Sequence, residues 1–506
     1  MSIVAGVDSS TQSCTVELRD ADTGALRGTG RSPHPATFPP LSEQHPEAWW
    51  DAFEIALGRA IADAQIGAAD IAAISVAAQC HGLVMLGDDD RPLRAAKLWN
   101  DTDSAPQAAH MVGALGMGEW ASAVGSVPTA AFTISKLAWV ADHEPHLLER
   151  MRRILVPHDY LTYRLTGRAV TDRSDASGTG YFAAHEGRWR TDLLDDFVAR
   201  GPDWSALLPE VLGPDESAGR IRASVAAALG LRPDVVVGPG AGDQHAGALG
   251  VGMREGDVVY SLGTSGVVLT ESALPVFDPR GDVDGVADAA GGYLPLACTL
   301  NSTKVTDAAA GWLGVSLDEL AALALAAPDR YDRPIMLAYL DGERTPNRPS
   351  ATGVLGGLTT ATTRGDIARA AFEGVLFGLV AGHDAIRAAG ARADGSVTVV
   401  GGGAKSPAYR QFLADILQTP VLTKDLAEAT ARGACIQAAA VLAGGVVTEV
   451  RDAWAPATAT STSPRGDAYG VARERYRSLV DGPGVPRPSA ETSLTEQKEP
   501  REAVRR

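Results

Sequence analysis

Asp243 lies in Gly238-Pro239-Gly240-Ala241-Gly242-Asp243-Gln244-His245, just past a short apolar run, in a stretch of glycines with no local reason to hold a charge. Asp8 closes a second apolar run, residues 3–7. One carboxylate so placed can accept the proton of an attacking alcohol, and another can hold Mg2+ through its hydration shell. Phosphoryl transfer to a hydroxyl needs both. Asp243 is thus the candidate catalytic base, and Asp8 and Asp243 are the candidate metal-associated residues. Either aspartate taken alone reads more readily as a turn or helix cap.

Three polar turns supply a context for phosphate. Each follows an apolar strand: Asp8-Ser9-Ser10-Thr11-Gln12-Ser13, Ser261-Leu262-Gly263-Thr264-Ser265-Gly266 and Gly401-Gly402-Gly403-Ala404-Lys405-Ser406. Small residues let backbone N–H groups approach phosphate closely, and hydroxyls add neutral donors. Singly, each turn is an ordinary hairpin. Together they point to a nucleotide site. Neither GxxxxGK[ST] nor a GxGxxG after the first strand is present, which argues against P-loop and Rossmann folds. The actin-like ATPase plan remains, in which two hairpins clamp phosphates between domains.

The elements that must position these turns read as a duplicated α/β plan. Residues 3–7 form an apolar strand and residues 14–19 alternate before Asp22-Thr23-Gly24. A helix opens at Pro46 with Trp50, Phe53, Leu57 and Ile61 on one face, and residues 71–77 read as a buried strand. The second half repeats strand, turn and strand over 258–262 and 267–270. It continues with a helix over 366–389, a strand over 397–400 and a helix over 407–417. Small residues from Ala246 to Gly252 place a hinge over 246–256. The expected fold is two ribonuclease-H-like (actin-like ATPase) α/β domains with an interdomain cleft, residues 1–246 and 247–480. The segment 481–506, rich in Pro, Ser, Glu and Arg, is expected to be a disordered tail.

Composition bounds the partners. A chain of 506 residues that is 45% hydrophobic and 21% charged has the makings of at least two globular domains. Its net charge of -17 disfavours nucleic acid and anionic membranes, which attract positive fields. With no basic segment before the first strand and no apolar run of spanning length, a cytoplasmic location is expected. Four cysteines without a CxxC pair read as reduced thiols, with Cys80 set apart because it adjoins a motif.

The chain resembles the FGGY carbohydrate kinase family, and xylulokinases within it, over roughly residues 3–450. The match is carried by GVDSSTQS (6–13), SEQHPEAWW (42–50), AAQCHG (77–82), LWND (98–101), FTISKLAWVADHEP (132–145), VPHDYLTYRLTG (156–167), SDASGTG (174–180), GAGDQHAGALGVG (240–252), SLGTSG (261–266), YLDGERTP (339–346), GGGAKSPAYRQFLADIL (401–417) and ARGACIQAA (431–439). The resemblance implies ATP-dependent phosphorylation of D-xylulose to D-xylulose 5-phosphate with Mg2+. It makes Asp243 the base and a sugar contact, and Asp8 a Mg2+-associated residue. Ser10, Thr11, Gly263, Thr264 and Ser265 become phosphate-turn residues, and Gly402, Gly403 and Ser406 the loop beside adenine and ribose. Cys80 and His81 would contact the sugar, with Trp99, Asn100 and Asp101 on a neighbouring loop. The sugar would lie on the N-terminal domain and ATP on the C-terminal one. A homodimer is expected from the resemblance alone.

Other residues in these motifs have plainer readings. Trp49 and Trp50 are expected to be core anchors, and Glu343 with Arg344 an internal ion pair fixing its loop. Two positions depart from the family pattern: Ser10 stands where glycine is usual, and Asp103 where an arginine is common. The second leaves open another sugar or polyol (ribulose, a hexonate, a pentitol) as substrate. An actin-like ATPase switch without a sugar is the alternative of another class, and it leaves QCHG and WND unexplained.

Overall fold

The apolar start of the chain forms the strand Ile3–Ser9, buried along its whole length. The computed structural model describes residues 2–466 and 469–482, so the expected disordered tail lies outside the described residues from 483 onward. Ile3–Ser9 pairs antiparallel with Ser13–Asp20, which pairs with Leu26–Pro33. On its other side it runs parallel to Ile71–Ala78, beyond which lie Val236–Val237 and Gly219–Arg220. The helix Pro46–Ala64, with proline in its first turn, buries Trp49, Trp50, Phe53, Ala56 and Leu57 over this sheet. Trp49 and Trp50 are core residues, as their position among apolar neighbours implies.

A second sheet repeats the order. Val258–Leu262 pairs antiparallel with Gly266–Thr270, and that with Leu296–Thr299. On the other side come Val397–Val400 and Val421–Lys424, both parallel, and then Thr458–Thr462. Arg364–Ala388 is a long helix started by a Thr363/Asp366 capping box, and it buries an apolar face that includes Phe372, Leu376 and Leu379. The duplicated plan expected from the strand-turn-strand pattern is present.

The segment expected to be a hinge is partly helix. Asp243–Val251 is a nine-residue α-helix, and the small residues at 246–250 serve helix packing. It crosses Ala429–Ala443, a helix that lies between two strands of the second sheet in sequence yet on the first sheet in space, beside Val4 and Ala73. A Cβ on Gly250 would fall 1.9 Å from Ala429 O, and one on Gly433 would fall 1.8 Å from Ala246 O. The crossing is therefore closed to any larger residue. Leu249, Ile436 and Val4 are buried there, each contributing roughly 1.5–3 kcal/mol. This apolar junction holds Ala429–Ala443 on the first sheet; the chain leaves it through Gly252 and Gly256, both at positive φ.

Candidate active site

Strand register brings the reactive loops together. Ala77 is opposite Asp8 on one side and opposite Ala241 on the other, so three parallel segments end side by side. From those ends leave Ser9-Ser10, Gln79-Cys80-His81 and Gly242-Asp243. Open α/β sheets bind ligands at such C-terminal strand ends. A cleft of about 150 Å³ opens there, lined by Asp8, Ser10 and Asp243 from the first half and by Ser261, Val400 and Thr430 from the second.

Asp243 is the first residue of its helix. Its Oδ1 accepts the Gln244 N–H at 2.7 Å and faces the Cys80 thiol at 3.5 Å. Burial pushes its carboxyl up to about 6, against the lowering effect of those two donors. Asp8 is buried, and its Oδ1 has no hydrogen-bond partner. Burial raises the Asp8 carboxyl well above the usual range, and the charge of Asp243 raises it further. An unpartnered carboxylate oxygen beside a second carboxylate suits a hydrated cation, which would relieve that repulsion. No cluster of three or more acid, histidine or cysteine side chains forms a ready cage among the described residues. Mg2+ needs none when water and phosphate complete its shell.

His81 is held on every side but one. Its N–H donates to Asp175 Oδ1 at 3.3 Å, and its carbonyl accepts from Thr133 Oγ1 and Lys136 Nζ at 3.1 and 3.2 Å. The ring stacks on Phe132, and Nδ1 lies 2.6 Å from Gly178 O. A carbonyl only accepts, so Nδ1 carries the proton and Nε2 presents a lone pair. Burial, with Lys136 and Arg344 adding to it, pulls the imidazole down to about 3, so it stays neutral. His81 sits at φ 65, a conformation that costs a non-glycine residue about 1–3 kcal/mol and persists only where its surroundings impose it. A fixed lone pair 97 residues from its carbonyl anchor in sequence is a hydroxyl-binding group in the making.

The Trp99 loop is divided. Trp99 is 40% exposed and donates from Nε1 to Thr11 Oγ1 at 2.9 Å, tying this loop to the first turn. Asn100 Oδ1 is buried without a partner. Asp101 is fully buried with both oxygens engaged: Oδ2 by Ser42 N–H, Oδ1 by Lys97 Nζ and Asp103 N–H. It shapes the turn and is not presented to the cleft. Asp103 is accounted for by Lys97, whose buried Nζ lies 3.1 Å from Glu43, 3.2 Å from Asp101 and 3.3 Å from Asp103, over the Trp139 ring. Asp103→Arg should then lower stability by about 1–2 kcal/mol in chemical denaturation, less than loss of a whole buried pair because Lys97 keeps two partners.

The second-half turns lie on the matching sheet edge. Ser261 is opposite Val400, and Gly263 joins Thr303 through its carbonyl. Thr264 and Ser265 are exposed, with their hydroxyls available to a ligand. Gly402 and Gly403 form a short 3-10 turn, and Ser406 precedes the helix Pro407–Leu417 with its Oγ buried and unpartnered. The expected Glu343–Arg344 ion pair is not formed. Glu343 accepts the N–H groups of Leu300 and Arg344 and the Asn301 amide, whereas Arg344 pairs with Asp284 at 3.0 Å. In this turn-rich loop each of the two side chains finds a distant partner. Sequence reasoning also missed Thr430, whose hydroxyl donates to Asp243 O at 3.2 Å, and Lys97. A lysine in an otherwise apolar stretch before LWND was the available signal for the latter.

Comparison with known proteins agrees with this geometry. Residues 3–250 match the FGGY family of carbohydrate kinases, N-terminal domain, and residues 258–442 match its C-terminal domain. The chain is 40% identical over 453 residues to a xylulose kinase of Streptomyces coelicolor, covering 89% of this chain and 90% of that one. It is 36% identical over 393 residues to a xylulose kinase of Escherichia coli K12, covering 76% and 77%. The crystal structure of xylulose kinase from Bifidobacterium adolescentis superposes with a TM-score of 0.85 at 38% identity, covering 94% of this chain and 99% of that one.

Proposed function

The chain belongs to the FGGY family of carbohydrate kinases, and on that footing we propose that it transfers the γ-phosphoryl group of ATP to the 5-hydroxyl of D-xylulose. The observation that carries the reading is the meeting of Asp243, Asp8 and the Cys80-His81 loop at the ends of three parallel strands. Asp243 accepts the hydroxyl proton as the oxygen attacks phosphorus. A base near 6 is ionised at neutral pH yet basic enough to take a proton as it develops. Mg2+ held near Asp8 would offset phosphate charge. Backbone N–H groups and hydroxyls at Ser10, Thr11, Gly263, Thr264 and Ser265 grip the phosphates, and Gly402, Gly403 and Ser406 flank the nucleoside.

The half built on the first sheet serves as the sugar-binding lobe and the half built on the second sheet as the nucleotide lobe. His81 Nε2 accepts a sugar hydroxyl, and Trp99 with Asn100 borders the sugar. Closure of the lobes excludes water, which would otherwise compete as acceptor. The setting is cytoplasmic, and a homodimer is the assembly inferred. The test is ADP release coupled to NADH oxidation with a panel of sugars. D-xylulose is expected to give kcat/KM at least tenfold above ribulose, gluconate and pentitols, a ratio within reach of one or two hydroxyl contacts. Equal or better rates with another sugar would move the substrate within the family. ATP hydrolysis indifferent to every sugar would remove the kinase reading.

A further inference from the structure

His158 and Asp159 in Val156-Pro157-His158-Asp159, with the nearby Asp172 and Asp175, are four titratable side chains that phosphoryl transfer as described does not use. His158 is fully buried, with Nε2 3.1 Å from Asp159 Oδ1, 3.2 Å from Asp172 Oδ1 and 3.8 Å from Asp175 Oδ2. Three acids in an apolar interior are tolerable only around a cation and with protons shared among them. Burial opposes the imidazolium, but the three carboxylates outweigh it and bring His158 up to about 9. Burial keeps the Asp175 carboxyl well above the usual range, whereas the close His158 imidazolium and the N–H groups of Ser174 and Asp175 hold Asp172 low despite its burial.

Each acid also fixes a piece of backbone. Asp159 accepts the Val156 N–H at 3.0 Å. Asp172 accepts the N–H groups of Ser174 and Asp175 at 2.7 and 3.1 Å and so starts the turn Arg173–Ser177. Asp175 accepts the His81 N–H, and Ser174 Oγ accepts the N–H of Gly242, the residue before Asp243, at 3.3 Å. The imidazole itself abuts Gly240, where φ is +85 and a Cβ would fall 2.4 Å from His158 Nδ1. One buried ring thus touches the routes to both His81 and Asp243, without lining the cleft.

We propose that His158 is a positioning residue for the sugar half of the site: it gathers Asp159, Asp172 and Asp175, and through them sets the backbone of His81 and the Gly240–Gly242 approach to Asp243. The inference rests on the sugar kinase reading above. Nothing in the cluster touches the nucleotide turns, so its loss leaves ATP binding unchanged.

His158→Gln is expected to lower kcat/KM for D-xylulose by about 100-fold, the penalty for misplacing reacting groups by about 1 Å, while KM for ATP stays within about twofold. Asp175→Asn removes one of the three acids yet keeps an oxygen for the His81 N–H. The double variant His158→Gln/Asp175→Asn should therefore recover about tenfold over His158→Gln. A ring that merely fills space predicts no such rescue. A double variant no better than His158→Gln, unchanged sugar kinetics in His158→Gln, or a KM for ATP raised as much as the KM for sugar each overturn the proposal. Should His158→Gln not accumulate folded, Asp175→Ala decides. It removes the acceptor for His81 and should raise the sugar KM about tenfold with ATP unaffected; an unchanged sugar KM sinks the idea. Unchanged kinetics in a variant of an active wild type would overturn only this role, whereas a wild type inactive on every sugar would overturn the kinase reading as well.

Discussion

Asp243→Asn is expected to lower kcat for sugar phosphorylation by about 10³-fold, within the range usual for loss of a general base, while Kd for ATP changes by less than about threefold. Asparagine keeps the shape and the oxygen that accepts from Gln244 and Cys80 but cannot take a proton. The same carboxyl sets the acid side of the pH profile. Burial raises it to about 6, so the working, ionised form prevails above that pH and is lost below it. Wild-type kcat/KM should fall about tenfold per pH unit below about 6, since this ratio reports groups of the free enzyme. Stopped assays from pH 4.5 to 8 would show the limb, and the residual activity of Asp243→Asn should lack it. Near-normal turnover in that variant would falsify the assignment of Asp243 as base.

The second large effect is expected at the helix crossing. In Gly433→Ala the new methyl carbon would meet Ala246 O at 1.8 Å, and a backbone atom cannot move aside alone. The helices Asp243–Val251 and Ala429–Ala443 must part, at a cost of about 3 kcal/mol. That corresponds to a fall in Tm of roughly 6–12 °C for a lobe-sized cooperative unit. Sugar turnover should fall as well, because the displaced helix begins with Asp243. Gly311→Ala is the control: Gly311 lies in the helix Thr303–Leu313 with open space where a Cβ would go, so alanine should stabilise by about 0.5–1 kcal/mol. Similar melting temperatures for the two variants would show that the crossing is not closed as described.

The parts of the site that are local in sequence were legible. Asp8 at the end of an apolar run, the serine turn after it and the glycine-flanked Asp243 carry their meaning in their neighbours, because strand and turn preferences act over a few residues. The same holds for the helix starting at Pro46 and for the repeat of strand, turn and strand at 258–270. Ala246 to Gly252 misled for a related reason. Small residues serve a hinge or a close helix contact equally, and the partner that distinguishes them, Ala429–Ala443, is far along the chain. Arg344 likewise found Asp284, and Asp103 found Lys97, through contacts that adjacency in sequence does not reveal.

By itself the sequence determined the kind of chemistry and the duplicated α/β plan and offered Asp243 as the candidate base, since each rests on residue type and short-range spacing. Only the tertiary structure decided which groups share the cleft, that Asp101 is turned inward, and that His158 sits among three carboxylates behind His81. Burial and the meeting of distant charges depend on the whole packed chain. Those two effects set the state of Asp243, His81 and His158.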